Sequence, residues 1–367
     1  MQRHDLMDGV WNLLGVCGGL RSGQSLVILH EADDAGYYAP GMAGTVAVYA
    51  RELGIATKLI EVPFAPLGGE LCDTLRAAMA NSDATLFLAR LGDQLRFCAD
   101  MGQVNVIMCY ALDCEALASC FGRVPHNAML SLKDAANTAL ISAREIRVTC
   151  PLGTDLRGSF GIAPEAVPDD VHVRRFPMLV FAPVPADNFS GVIVQSGFVV
   201  GTGTHFYEPY AIPLENPVQV SVEAGRMVGF DGLPQDVARL RGHYHRIGDQ
   251  FGVDPFQVHS WHAGIHPGCA FDGPASSDFH RWSGSAFGNP RLMHFHTCGD
   301  SAPGEISLNL LDPTIALDGV DVWSEGCLDP SKLPGGAEIL HATPHLARLF
   351  QDPKRQVGEH MGALLAV

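Results

Sequence analysis

Histidines are concentrated in one segment of the sequence, and they are the residues there best suited to do chemistry. Of the sixteen histidines in the chain, eight lie between residues 243 and 296. Imidazole is the commonest protein ligand for metals and exchanges protons near neutral pH. A hydrophobic core has little use for so many rings, because each needs hydrogen-bond partners. The segment therefore predicts a metal site in a catalytic domain.

One pair of imidazoles in this segment has the spacing of a strand. If residues 292–297 form a strand, His294 and His296 point to the same face, because side chains alternate along an extended chain. Asp300 follows in the turn after the strand and would bring a carboxylate close. His-x-His on a strand presents two ligands to one ion.

A second group of imidazoles precedes that strand. The spacing of His259, His262 and His266 would suit a helix, but Gly264 and Pro267 disfavour one. In an extended chain His262 and His266 share a face, and His259 lies on the opposite face. The predicted metal ligands are His262, His266, His294, His296 and Asp300.

Imidazoles with a carboxylate suit a non-haem Fe(II) ion, with Zn(II) or Mn(II) as alternatives. The opposite interpretation is structural. His259 and His294 would then form hydrogen bonds with the backbone, and the neighbouring Trp261 and Phe295 would belong to the core.

Three further residues are predicted to act in catalysis. His205 and Tyr207 lie on a glycine-bordered loop, Gly201-Thr-Gly-Thr-His205-Phe-Tyr207, and reactive groups are concentrated on such loops. A hairpin with an aromatic cover explains the same residues. Glu305 follows the His-x-His strand and is a candidate ligand or general base, or else a solvated residue at the edge of a strand.

Charged residues also follow a predicted strand in the N-terminal half. Arg90, Asp93 and Arg96 come directly after the run 84–89, where ligands bind in α/β sheets. They are a candidate anchor for an anionic substrate.

Composition excludes several classes of protein. The net charge of −16 disfavours binding to nucleic acid or to an anionic membrane surface. The N-terminal sequence is interrupted by Asp5 and Asp8 and does not resemble a secretory signal, and no apolar run is long enough to span a membrane. The ten cysteines contain no CxxC pair, so we expect reduced thiols and a cytoplasmic location.

The pattern of apolar runs predicts two domains. Up to about residue 150, strands alternate with helices, which indicates a parallel sheet. Neither GxGxxG nor GxxxxGK[ST] is present, so this Rossmann-like domain, residues 1–160, is predicted to bind no nucleotide. Residues 161–367 have shorter, alternating runs and are predicted to form an α+β domain with a mostly antiparallel sheet that carries the metal. The predicted strands and helices are, by residue number, strands 25–30, 57–62, 84–89, 105–110, 178–181, 191–196, 217–222 and 226–230, and helices 41–53, 70–80, 112–120, 131–144, 234–248 and 338–350.

The layout resembles a known superfamily: the thermophilic-type metalloaminopeptidases, known as the aminopeptidase T and S group, and their relatives, the 2,5-dihydroxypyridine 5,6-dioxygenases. The resemblance is carried by the order of the domains and by three short matches, Val222-Glu-Ala-Gly, His262-Ala-Gly-Ile-His266-Pro and Ala316-Leu-Asp318-Gly319. The second match corresponds to Glu-x-Gly-Ile-Gly in the peptidases and His-x-Gly-Trp-Gly in the dioxygenases. This match implies that His262 binds metal, and it favours the dioxygenase branch. The resemblance as a whole implies a homo-oligomer.

The sequence departs from that superfamily at one motif. Both branches carry a later His-x-Asp that completes the metal site, and this chain has Ser307-Leu-Asn309 instead. The pair His294 and His296 would compensate for it.

Three functions follow as hypotheses. The first is a mononuclear Fe(II) ring-opening dioxygenase acting on a small hydroxylated aromatic or N-heterocyclic compound, with dioxygen as the second substrate and His205 as base. The second is a Zn- or Mn-dependent aminopeptidase or amide hydrolase with Glu305 as base. The third is a metal- or ligand-binding protein without activity, for which Ser307 and Asn309 are the main support.

Overall fold

The chain divides into two compact units. A computed structural model describes all residues except 1, 67, 69, 97, 99–100, 102–103, 162–170, 202–205, 361–362 and 365–367. Unit 1 comprises Met1–Leu130 and Asp169–Met178, and unit 2 comprises Ser131–Pro168 and Leu179–Val367. The predicted boundary between residues 160 and 161 lies within the first segment of unit 2, and a later short segment belongs to unit 1.

Strands and helices are numbered separately in chain order. The strands are β1 (Ser25–His30), β2 (Ala56–Glu61), β3 (Ala84–Leu88), β4 (Val106–Cys109), β5 (Ile146–Thr149), β6 (Asp155–Gly158), β7 (Arg174–Phe176), β8 (Val184–Pro185), β9 (Ser190–Gly201), β10 (Ala211–Glu223), β11 (Arg226–Asp231), β12 (Val258–Ala263), β13 (Leu292–Cys298), β14 (Glu305–Leu311), β15 (Thr314–Leu317), β16 (Val320–Ser324) and β17 (Cys327–Leu328). The α-helices are α1 (Arg3–Trp11), α2 (Met42–Glu52), α3 (Asp73–Ala80), α4 (Leu91–Gln94), α5 (Cys114–Ala118), α6 (Cys120–Arg123), α7 (His126–Ser142), α8 (Pro234–Phe251), α9 (Phe279–Ala286), α10 (Gly336–Ala342) and α11 (Pro344–Gln351). Asn12–Cys17 forms a π-helix, and the 3-10 helices are Asp33–Ala35, Ala275–Ser277 and Pro330–Lys332.

Unit 1 is built on a parallel sheet of five strands in the order β2-β1-β3-β4-β7. Its central strands β3 and β4 are buried along their whole length, and β2 at the edge alternates between exposed and half-buried positions. This is the pattern expected of a parallel sheet whose central strands are covered on both faces. The predicted α/β class of this part of the chain is confirmed.

Unit 2 is built on an antiparallel sheet in the order β17-β16-β15-β5-β6-β9-β14-β13-β12-β8, with β10 and β11 branching from β9. The predicted strands 191–196, 217–222 and 226–230 lie within β9, β10 and β11. The predicted antiparallel α+β class is therefore confirmed. The site described below lies on the neighbouring strands β12, β13 and β14.

Two predicted elements of unit 2 differ from the structure. Residues 178–181 form no strand, although Val180 makes a single bridge to Gly264. The predicted helix 338–350 is two helices, α10 and α11, separated at Thr343 (φ −129°, ψ 74°). Thr343 precedes Pro344, and the proline ring disfavours the helical conformation at the residue before it.

Two further features concern the whole chain. Within the residues that the structure describes, no helix has the length and apolar character needed to cross a membrane. All ten cysteines are free thiols.

Candidate metal centre

The register of three antiparallel strands brings the predicted histidines together. His262 on β12 lies directly opposite His294 on β13, which in turn lies opposite Asn309 on β14. Two residues further along β13, His296 lies opposite Ser307 on β14. Directly paired residues project to the same face of an antiparallel sheet. One face of these strands therefore presents three imidazoles flanked by a serine and an asparagine.

The three imidazoles converge on one point. The Nε2 atom of His262 lies 2.7 Å from Nε2 of His294 and 3.2 Å from Nε2 of His296. One nitrogen from each ring lies within 4.8 Å of the others, so this group could hold a metal ion. Among the described residues, the group contains no carboxylate.

Two of the rings contact an oxygen atom through the nitrogen that faces away from the group. Nδ1 of His262 lies 3.2 Å from the carbonyl oxygen of Phe181, and Nδ1 of His296 lies 3.0 Å from Oε1 of Glu305. A neutral imidazole that donates from Nδ1 carries a lone pair on Nε2. Partners of this kind orient metal-binding histidines.

The donor set fits a divalent cation. The Nε2 atoms of His262 and His296 lie 3.2 Å apart and face each other. A neutral imidazole offers a lone pair from one of its nitrogens, and a cation placed among the rings would bind these lone pairs. Imidazole nitrogens are suitable ligands for iron, zinc, copper and nickel.

The group is enclosed. His262, His294 and His296 are 6%, 2% and 8% exposed. The ring of Phe287 stacks on His294 with centroids 4.1 Å apart, and His294 stacks on His296 at 5.1 Å. This packing limits both the rotation of the imidazoles and the access of bulk water, which strengthens electrostatic interactions at the site.

Two predicted ligands lie outside this group. Strand β12 ends at Ala263, so the alternation of side chains that would place His266 beside His262 does not continue. The buried His266 accepts a hydrogen bond at Nδ1 from the backbone N–H of Gly268, 3.1 Å away. Asp300 lies exposed in the turn after β13, where it accepts a hydrogen bond from the Ser301 hydroxyl.

Glu305 and Tyr207 lie next to each other behind the imidazoles. Glu305 is 1% exposed, and its carboxylate contacts the outer nitrogen of His296. The buried Tyr207 hydroxyl donates to the backbone carbonyl of Glu305, 2.8 Å away, and burial raises the Tyr207 pKa well above 10. His205, the predicted base, falls outside the described residues.

The proposed anion anchor in unit 1 is occupied by its own carboxylates. Arg90 binds Glu31 with both Nε and Nη2, at 3.0 and 2.6 Å. Arg96 lies 2.7 Å from Asp93, which also accepts a hydrogen bond from the Tyr110 hydroxyl. These four charged side chains are buried or nearly so. They form internal ion pairs and do not present a cationic site.

Sequence reasoning missed some neighbours of the imidazoles. Phe181 contributes only its carbonyl, which has no signature in its side chain. Ser307 and Asn309 depart from the superfamily motif, but the motif does not predict their hydrogen bonds. The Ser307 hydroxyl donates to Oδ1 of Asn309 at 3.0 Å, and the backbone N–H of Asn309 donates to Gln195 Oε1 at 2.9 Å. Gln195 lies on β9, and only the sheet order brings it here.

Comparison with known proteins gives a match at the level of structure. A scan against models of known protein families finds no match, and neither does a search of curated protein sequences. A solved structure of 2,5-dihydroxypyridine dioxygenase from Pseudomonas putida KT2440 is similar, with a TM-score of 0.60 over 90% of this chain and 98% of that chain, at 16% identity. The chain has the fold of that dioxygenase.

A second solved structure, wild-type AmpT from Thermus thermophilus, is similar with a TM-score of 0.47 over 85% of this chain and 94% of that chain, at 12% identity. The resemblance stated from the sequence is thus confirmed as a resemblance of fold to the dioxygenase. Among the residues that the structure describes, the three imidazoles of β12 and β13 form a group that could bind a metal.

Proposed function

We propose that the chain is a mononuclear non-haem Fe(II) dioxygenase that opens the ring of a small hydroxylated aromatic or N-heterocyclic compound. The observation that carries this proposal is the buried group of His262, His294 and His296, whose Nε2 atoms converge at 2.7 and 3.2 Å. The fold shared with a dioxygenase whose name specifies a dihydroxypyridine supports the choice of reaction and substrate.

The number of donors suits this chemistry. Three nitrogen ligands from the protein leave other positions of a six-coordinate ion open. Iron bound here would supply coordination positions for a substrate oxygen and for dioxygen.

The surrounding residues of the chain hold the imidazoles in place. The Phe181 carbonyl and the Glu305 carboxylate orient His262 and His296 from behind, and Phe287 covers His294. Tyr207 fixes the backbone of Glu305 through its hydroxyl. His205 is the base that we propose for removing the proton of the ring hydroxyl.

A second candidate is a zinc- or manganese-dependent aminopeptidase or amide hydrolase. Three histidines are also the donor set of a catalytic zinc that activates water. Peptidases with two metals need bridging acids, and the described group contains none. In this case, Glu305 would have to act as base, but its carboxylate contacts the outer nitrogen of His296.

The test begins with metal analysis of protein purified without added metal and without oxygen. The iron-loaded protein is then given hydroxylated pyridines and benzenes while oxygen uptake is recorded, and ¹⁸O₂ is traced into the product. We expect one iron per chain, uptake of oxygen with turnover, and both labelled atoms in the ring-opened product.

Two variants complete this test. His262→Ala should abolish uptake, whereas His245→Gln should not, because His245 is an exposed histidine on α8. Full turnover without oxygen would refute the dioxygenase. Bound zinc together with solvent oxygen in the product would instead establish the hydrolase.

A further inference from the structure

The protein donors of the proposed metal centre are neutral groups. They are the imidazoles of His262, His294 and His296, and among the described residues no carboxylate joins them. A divalent ion held by neutral ligands keeps both of its positive charges. Since the imidazoles are at most 8% exposed, water compensates this charge poorly, and other anions must do so.

The two residues that flank the imidazoles are also neutral. Asn309 lies opposite His294 and Ser307 lies opposite His296 on the same face of the sheet, and both are buried. Their side chains form a hydrogen bond with each other. Both positions are paired with an imidazole of the group, and the chain has an amide and a hydroxyl there, where a carboxylate would add a negative charge.

The Glu305 carboxyl group lies behind the centre. It is buried, 3.0 Å from Nδ1 of His296, on the side of the ring away from the other imidazoles. It reaches the centre only through the ring of His296 and is not one of the donors. A bound ligand with a negative charge would bring that charge to the ion itself.

We propose that this centre selects a small chelating anion over a neutral chelator of the same shape: an aromatic ring that places a negatively charged oxygen next to a second donor atom. The neutral Asn309 sets this preference, because it leaves the charge of the metal to be balanced by the ligand. This inference rests on the metal centre proposed above and narrows its substrate class.

The test measures binding and does not depend on turnover. The zinc-loaded protein is titrated calorimetrically with two probes of the same shape, pyridine-2-carboxylate, which is an anion, and its neutral amide, pyridine-2-carboxamide. Asn309→Asp places a negative charge beside the ion and keeps an oxygen that can accept from Ser307. Asn309→Leu removes the amide without adding charge.

We expect Asn309→Asp to weaken binding of the carboxylate probe at least about tenfold and that of the amide probe less than about threefold. Asn309→Leu should change both probes by a similar factor. Ser307→Asp adds the same charge opposite His296 and replaces Asn309→Asp if that variant does not fold.

Two results would overturn the inference. Equal weakening of both probes by the added charge, or an unchanged affinity for the carboxylate probe, would show that the centre does not select the charge of its ligand. If the wild-type chain binds zinc in that case, the proposed metal centre stands without this inference. Failure of the wild-type chain to bind zinc, iron or manganese would remove the metal centre itself, and this inference with it.

Discussion

Each of the two units buries a cluster of polar side chains beside its sheet, and the clusters differ in how their groups are satisfied. In unit 1, at the carboxyl ends of β1 and β3, Glu31 binds Arg90 and Asp93 binds Arg96, so each charge meets its opposite. In unit 2, three imidazoles face one another with like atoms 2.7 and 3.2 Å apart. The first cluster pairs opposite charges within the chain, whereas the second is a group of like donors that could hold a metal ion. Burial of polar residues alone therefore does not identify a site; the chemical match among the buried groups does.

The largest difference between the clusters should appear on removing one imidazole. His262→Ala removes the ring that contacts both other imidazoles, so we expect bound metal to fall from about one ion per chain to about a tenth of that or less. Metal analysis after dialysis measures this. The exposed His245→Gln is the matched control, and retention of metal by His262→Ala would contradict the assignment.

Breaking an ion pair of the cluster in unit 1 should lower the free energy of unfolding and leave metal binding unchanged. Glu31→Gln leaves the buried Arg90 without a charged partner, and we expect the free energy of unfolding to fall by about 3–5 kcal/mol. Urea unfolding followed by circular dichroism measures this, and the metal content of the folded protein should not change. Glu52→Gln, which breaks an exposed pair with Arg3, should leave stability nearly unchanged. A loss of metal from Glu31→Gln would show that the two clusters are coupled.

A smaller effect is expected from the carboxylate behind the imidazoles. Glu305→Gln keeps the shape of the side chain but weakens its contact with Nδ1 of His296, so metal affinity should fall roughly 10–100-fold. Competition with a chromogenic chelator measures the affinity. Asp300→Asn lies in the same hairpin, is exposed, and should leave metal affinity unchanged. A larger effect at Asp300 than at Glu305 would restore Asp300 as a ligand.

The smallest effects concern two buried histidines away from the metal, one in each unit. Burial lowers the pKa of His126 and of His243 from 6.5 to about 4, and nearby arginines contribute. Between pH 6.5 and 4 the unfolded chain therefore binds more protons than the folded chain, so stability falls as the pH is lowered through this range. We expect a loss of roughly 1–2 kcal/mol per histidine from pH 7 to pH 5.

Unfolding in the presence of a chelator measures this dependence without a contribution from metal release. His126→Leu and His243→Leu should each reduce the slope of stability against pH. A slope that stays the same in both variants would show that other groups cause the acid sensitivity.

Local patterns predicted most of the parallel sheet and part of the site. The run 25–30 coincides with β1, and 84–89 exceeds β3 by one residue, because continuous apolar runs bounded by turns identify buried strands. Alternation along a strand placed His294 and His296 on one face. Both inferences depend on neighbours in sequence, where the physical signal is strongest.

Relations between distant segments could not be predicted in this way. His262 faces His294 because of the register between β12 and β13, and Glu305 reaches His296 because β14 pairs with β13. The carbonyl of Phe181 contributes no side-chain signal at all. His266 and Asp300 lie past the ends of β12 and β13, where alternation along a strand no longer indicates which way a side chain points.

The chain order of the two units has a consequence for biosynthesis. Strand β7 completes the sheet of unit 1 beside β4, yet it is translated after the β5–β6 hairpin of unit 2. A nascent chain that ends near residue 160 would therefore present the fully buried β4 as an open edge, which is a template for aggregation. Unit 1 can add β7 to its sheet only after part of unit 2 has left the ribosome. A gene truncated near residue 160 would therefore encode a unit 1 whose sheet lacks β7.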